Sequence, residues 1–151
     1  MDDLSMRLFR LSTEGFCCAQ IMYKLCLEDE GIQNDDLIKS AQGLCRGIAD
    51  TQQTCGVLSG GIGVLGLYAA KGKEGESEKE NIKEMIAEFH EWFKKEFGST
   101  QCVDLIGVKD FYGSDQSYKP ICADMLQKAY IKVCEILLNH GYEYGNRECI
   151  S

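Results

Sequence analysis

Nine cysteines occur in 151 residues, and four of them share a setting. Cys55 stands at the entrance of an apolar run, Thr54 to Ala70, that holds five of the sixteen glycines. Cys122 follows Pro120 by two residues, where a last helix is expected to begin. Cys102 opens a short segment with the pattern of one helical turn, and Cys18 lies near the start of a second helix, on its apolar stripe. Each is thus placed near a helix start and able to face inward. Unpaired backbone N–H groups and the positive end of the helix dipole favour a thiolate there. A thiolate either ligates a metal or attacks a disulfide. The plain alternative is that all four are small buried hydrophobes, a common fate of free cysteine.

The other five cysteines are less suggestive. Cys17 sits about 100° round the second helix from the stripe that carries Cys18. Cys26 falls at the stripe's edge, Cys45 ends a third helix, Cys134 lies off the last helix's stripe, and Cys149 is in the tail. A vicinal Cys17–Cys18 disulfide would be strained. No C-x-x-C occurs, which argues against a thioredoxin-type motif and a zinc ribbon. His90 and His140 lack metal-ligand spacing and read as surface or helix-end residues. No Ser-His-Asp or Cys-His pattern is visible.

The elements that must position these thiols are helical. Leu4, Leu8 and Leu11 predict a first helix over residues 3–12, and Cys18, Ile21, Met22 and Leu25 a second over 16–28. Asn34 and Asp35 are caps for a third, over 36–45, and residues 46–53 read as a polar loop. The central run is too short for a bilayer span, and its glycines recur at three to four residues along one face. It reads as a buried helix against which something packs closely. Ser77 and Glu80 fit a capping box that opens a helix over 78–97, with Ile82, Met85, Ile86, Phe89, Phe93 and Phe97 inward and Gly98 at its end. Pro120 is placed to begin a last helix, 120–139, whose stripe is Cys122, Leu126, Ala129, Val133, Ile136 and Leu137. The expected fold is all-α: one domain over 1–151, with about five main helices around the Gly-rich one, a core over 4–139 and a tail over 140–151.

Charge and composition exclude some functions. A net charge of −8 with no basic block argues against nucleic acid as a partner. The acidic start, Met1-Asp2-Asp3, is unlike a secretory leader, so a cytoplasmic protein is expected, where many cysteines mean metal, redox chemistry or buried thiols rather than a disulfide framework. Gly61, Gly63 and Gly66 match a dinucleotide fingerprint, but no strand–helix–strand context surrounds them, and close helix packing explains them better.

Four local patterns then converge on one family. Gly15-Phe16-Cys17-Cys18-Ala19-Gln20 resembles a G-[YF]-x-C-[SA]-Q opening, and Cys55-Gly56-Val57-Leu58-Ser59-Gly60 a C-G-A-x-x-G core with valine where alanine is usual. Cys102-Val103-Asp104-Leu105-Ile106-Gly107 resembles C-x-x-L-x-G, and Cys122 fits a fourth position. Together these resemble the small redox-active proteins named for a C_GCAxxG_C_C pattern, and the cysteine set is similar to that of the non-haem domain of split-Soret-type cytochromes, which is associated with an iron–sulfur centre. The resemblance implies a redox or metal role for Cys18, Cys55, Cys102 and Cys122, and leaves Cys17 or Cys45 as partner thiols beside them. No c-type haem is expected, since C-x-x-C-H is absent.

Three functions follow. In the first, the four cysteines bind one metal centre, iron–sulfur ahead of zinc, for electron transfer or redox sensing. In the second, Cys55 is a low-pKa attacking thiol and a second cysteine, such as Cys18, takes part in thiol–disulfide chemistry without metal. In the third, the chain is a non-catalytic helical interaction protein. A redox partner protein is implied by the first two, and a homodimer is compatible with all three.

Overall fold

The computed structural model describes residues 3–108, 110, 111, 113, 114 and 116–147. Among them the regular structure is helical: α1 Asp3–Thr13, α2 Cys18–Glu30, α3 Asp35–Ala41, a 3-10 turn Gln42–Leu44, α4 Gly56–Ala69, α5 Ile82–Phe97, α6 Cys102–Ile106 and α7 Tyr118–Asn139. The all-α array expected from the sequence is what is found, with α3 and α6 as short additions to five longer helices. Among the described residues, no helix is long and apolar enough to cross a membrane.

The Gly-rich run is the middle of the array. No residue of α4 is exposed, the mark of a helix covered on all sides. Its neighbours are α2, α5 and α7, and the α2–α4 pair is the most extensive. The glycines explain how close these helices come. A Cβ on Gly60 would lie 3.0 Å from the Ala19 carbonyl oxygen and 3.0 Å from the Met22 Cβ, so α2 lies nearly backbone to backbone on α4. A Cβ on Gly61 would lie 2.5 Å from the Phe89 ring of α5. The fingerprint glycines 61, 63 and 66 are therefore interior helix positions, with no strand before them.

Packing around α4 follows the expected stripes with local corrections. Ile82, Met85, Phe89 and Phe93 of α5 are buried, as are Leu126, Ala129, Val133, Ile136 and Leu137 of α7. Gly98 closes α5 in the left-handed region, its N–H donating to the Lys94 carbonyl at 2.9 Å. Helix α5 does not open at the Ser77–Glu80 box. The Lys79 N–H donates instead to the Ala69 carbonyl at 2.8 Å, satisfying the end of α4, and α5 starts only at Ile82. Helix α7 begins two residues before Pro120, which still lies in the first turn where no amide hydrogen is needed. Cys26 is fully buried rather than marginal, because α2 is covered by α1 and α7 as well as by α4.

The described part of the tail is pinned. Arg147 pairs with Glu30 at 2.6 Å, the Tyr142 hydroxyl donates to Asn81 at 2.7 Å, and the Gly145 N–H donates to the Tyr68 hydroxyl at 3.1 Å. Cys149 lies outside the described residues. His90 is exposed, and His140 caps α7 beside Glu88 at 3.1 Å, as helix-end and surface histidines should.

Candidate functional site

Two of the four cysteines are brought together by a short extended clamp. The Cys55 N–H donates to the Thr100 carbonyl at 2.9 Å, the Cys102 N–H to Gln53 at 2.6 Å and the Val103 N–H to Gln52 at 3.0 Å, with a lone antiparallel bridge between Thr54 and Gln101. Each segment of the clamp runs directly into a helix, so Cys55 becomes the N-cap of α4 and Cys102 the first residue of α6. Cys18 is the first residue of α2. It lies against the start of α4, where a Cβ on Gly56 would meet its sulfur at 2.5 Å. Cys122 comes from the second turn of α7, a turn later than the helix-start position its spacing from Pro120 suggests.

All four line one cavity of about 250 Å³, together with Phe16, Cys17, Arg46, Val57, Phe111 and Tyr118 among others. The thiol-lined space lies beneath three helix starts and opens to the surface. Among the described residues, no three His, Cys, Asp or Glu side chains are grouped to hold a single metal ion.

Electrostatics couple the four sulfurs. Burial, with the neighbouring Cys18, Cys55 and Cys102 adding to it, pushes the Cys122 thiol up to about 12. Burial likewise raises Cys55 to about 12, with Cys18 and Cys102 adding to it and the N–H groups of Val57 and Leu58 opposing. The helix start thus acts on Cys55 in the expected direction, but burial outweighs it, and a metal-free Cys55 is not the low-pKa thiol its position suggested. Cys18 is raised by burial against the N–H groups of Arg46 and Ala19 and the Arg46 guanidinium. Cys102 is raised by burial against a hydrogen bond from Gln52 Nε2, 3.8 Å from its sulfur.

These shifts give a pH prediction for the metal-free, reduced chain. In the unfolded state a thiol loses its proton near its ordinary value of about 8.5. Folded Cys55 keeps its proton to about 12, and burial raises Cys26 as well. Above pH 9 the unfolded state therefore binds fewer protons, and stability falls as pH rises. Cys55 and Cys26 alone give a loss of roughly 2–3 kcal/mol per pH unit, and Cys122, also raised to about 12, adds to it. Urea midpoints at pH 8 and pH 10 should differ accordingly, and equal midpoints would contradict the burial.

Three features of the site were not legible beforehand. Cys17, the N-cap of α2, is joined to Cys45 in a disulfide with a Cα–Cα distance of 6.0 Å. The polar loop after Cys45 is a left-handed turn: Arg46, Ile48, Ala49, Asp50 and Gln52 all have φ between 49° and 69°. This region costs a non-glycine residue roughly 1–2 kcal/mol. The third is what that turn carries. Arg46 lines the cavity with its guanidinium 5.4 Å from the Phe111 ring. Gln52, nearly buried, bridges the Cys102 sulfur and the Gly107 carbonyl, the latter at 2.7 Å.

An all-α domain with four thiols from four helices around one cavity defines a cysteine-based class of protein. The model of the family described as "Putative redox-active protein (C_GCAxxG_C_C)" matches residues 16–136, and the chain belongs to that family. No curated protein and no solved structure gives a match.

Proposed function

We propose that this redox-family protein binds an iron–sulfur cluster through Cys18, Cys55, Cys102 and Cys122 and serves in electron transfer or redox sensing. The observation that carries this reading is the convergence of four thiols from four separate helices on one cavity. Four thiolates are the usual complement of such a cluster. Zinc, the alternative occupant, would use the same four thiolates.

The surroundings suit an anionic centre. Arg46 brings a positive charge to the cavity, N–H groups at the starts of α2 and α4 point toward Cys18 and Cys55, and Gln52 hydrogen-bonds Cys102. Cluster charge, hydrogen bonds to sulfur and burial set the potential of such centres. A bound cluster would supply one-electron chemistry. The chain's own residues would hold it, exclude water from it and balance its charge. The third reading, buried hydrophobic thiols with no redox role, does not account for the cavity or for Arg46.

The test compares cysteine variants. C18S, C55S, C102S and C122S should each lose most of the iron and sulfide bound after anaerobic purification, whereas C134S should retain both. Equal iron in all five would overturn the assignment.

A further inference from the structure

We infer that Cys17–Cys45 is a second redox site, a reversible dithiol–disulfide couple whose state sets the turn that covers the thiol cavity. It is separate from the four-cysteine set and does not depend on a metal.

The geometry points to this pair for three reasons. The disulfide ties the start of α2 to the residue that enters the left-handed turn. The turn has six consecutive or near-consecutive positive-φ residues, with Gly47 among them, and its two ends are both fixed. Cys45 is held by the disulfide at one end, and Gln52 to Cys55 are held by the clamp with Thr100 to Val103 at the other. Five non-glycine residues in an unfavoured conformation persist only where the surroundings hold them. The turn's own hydrogen bonds, Gln52 N–H to Arg46 and Gln53 N–H to Gly47 at 3.1 and 2.9 Å, are local and move with it. The Ala49 N–H to Gly43 at 2.9 Å and the Ile48 N–H to Leu44 at 3.4 Å also tie it to the 3-10 turn, so breaking the disulfide removes its covalent tie to α2 and leaves it held by hydrogen bonds alone at that end. The segment that would relax carries Arg46 and Gly47, which line the thiol cavity.

The two sulfurs are unequal in access. Cys17 is half-buried and lines the cavity, whereas Cys45 is 3% exposed. An external dithiol reaches Cys17 first. Its thiolate attacks the Cys17 sulfur, the Cys17–Cys45 bond breaks, and Cys45 leaves with the electron pair and takes up a proton. The second thiol of the reductant then attacks its own sulfur in the mixed disulfide and releases Cys17. Two electrons and two protons pass to the protein, and the dithiol leaves as a disulfide.

The test uses the full chain, both as purified and after chelation, in dithiol buffers graded from oxidising to reducing. Thiol trapping and peptide mass spectrometry should show Cys17 and Cys45 converting together in one two-electron transition while the helical circular dichroism is unchanged. Trapped samples, freed of reductant, are then cut with trypsin. The Arg46–Gly47 bond should be cleaved about ten-fold faster or more in the reduced chain, because release of the turn exposes it. C45S should be cleaved at the reduced rate in every buffer. If C45S does not fold, the wild-type titration still decides. A pair that stays oxidised until the helices unfold, cysteines that convert independently, or equal cleavage in both states would overturn the proposal. Proteolysis needs no cluster, so a chain that binds no iron still answers.

Discussion

Replacing Gly56 with alanine is expected to leave the fold and remove the site. The new Cβ would stand 2.5 Å from the Cys18 sulfur, 3.1 Å from the Leu44 carbonyl oxygen and 3.3 Å from the Cys45 Cα. The last two are backbone atoms and hold their places, so the sulfur must turn away from the cavity. Gly56 is the first residue of α4, where alanine gains less than the interior preference of about 1 kcal/mol over glycine, and overpacking costs about 1–3 kcal/mol. The net change in stability should therefore be modest. Loss of one thiolate from the four should instead lower bound iron and sulfide about ten-fold or more, since even loss of a group that supports a ligand weakens a metal site about ten-fold or more. Gly66→Ala is the control. Its Cβ would meet only the Ala70 Cβ, at an ordinary 3.8 Å, so it should keep full iron and gain up to about 1 kcal/mol in stability. Full iron in Gly56→Ala would mean that Cys18 is not a ligand.

The largest loss of stability is expected at Phe89. Its ring is 0% exposed and fills the space that Gly61 leaves between α4 and α5. Truncation to alanine should cost about 3–5 kcal/mol, the usual range for a large buried aromatic. Gly61→Ala should also destabilise, by about 1–3 kcal/mol, because its Cβ would enter the ring at 2.5 Å and crowd Val133 at 3.3 Å. The two positions share one space, so their effects should not add. The Gly61→Ala/Phe89→Leu double variant should be more stable than the sum of its single changes allows. Chemical denaturation of the four members of the cycle measures this. Strict additivity would contradict the close approach of α5 to α4.

How much of this was readable beforehand depended on how local the cause was. The Gly-rich run, the stripes of α5 and α7 and the helix-stopping Gly98 are local patterns, and the structure follows them. Cys18, Cys55 and Cys102 were placed by the same logic near helix starts, where they are found. What failed was set by tertiary contacts. The Ser77–Glu80 box was overridden when the Lys79 amide was drawn to the end of α4. The rise in the Cys55 pKa follows from burial under neighbouring helices, which a helix-start argument does not contain. The Cys17–Cys45 bond joins residues separated by 28 positions, and only the packing of α3 and its 3-10 turn against α2 brings them together. The left-handed turn of residues 46–52 had no signal in residue type, since Ile48 and Ala49 ordinarily avoid that region. Gln52 and Arg46 were missed for the same reason.

The central claim is that four thiols hold one iron–sulfur centre, and its most direct measurement is on the unaltered chain. The protein is purified without oxygen, and its visible spectrum, iron and acid-labile sulfide are determined per chain. The expected result is a broad absorbance near about 400 nm that bleaches on reduction, with iron and sulfide in equal and stoichiometric amounts. A colourless chain that holds no iron, both as isolated and after anaerobic incubation with ferrous iron and sulfide, would contradict it.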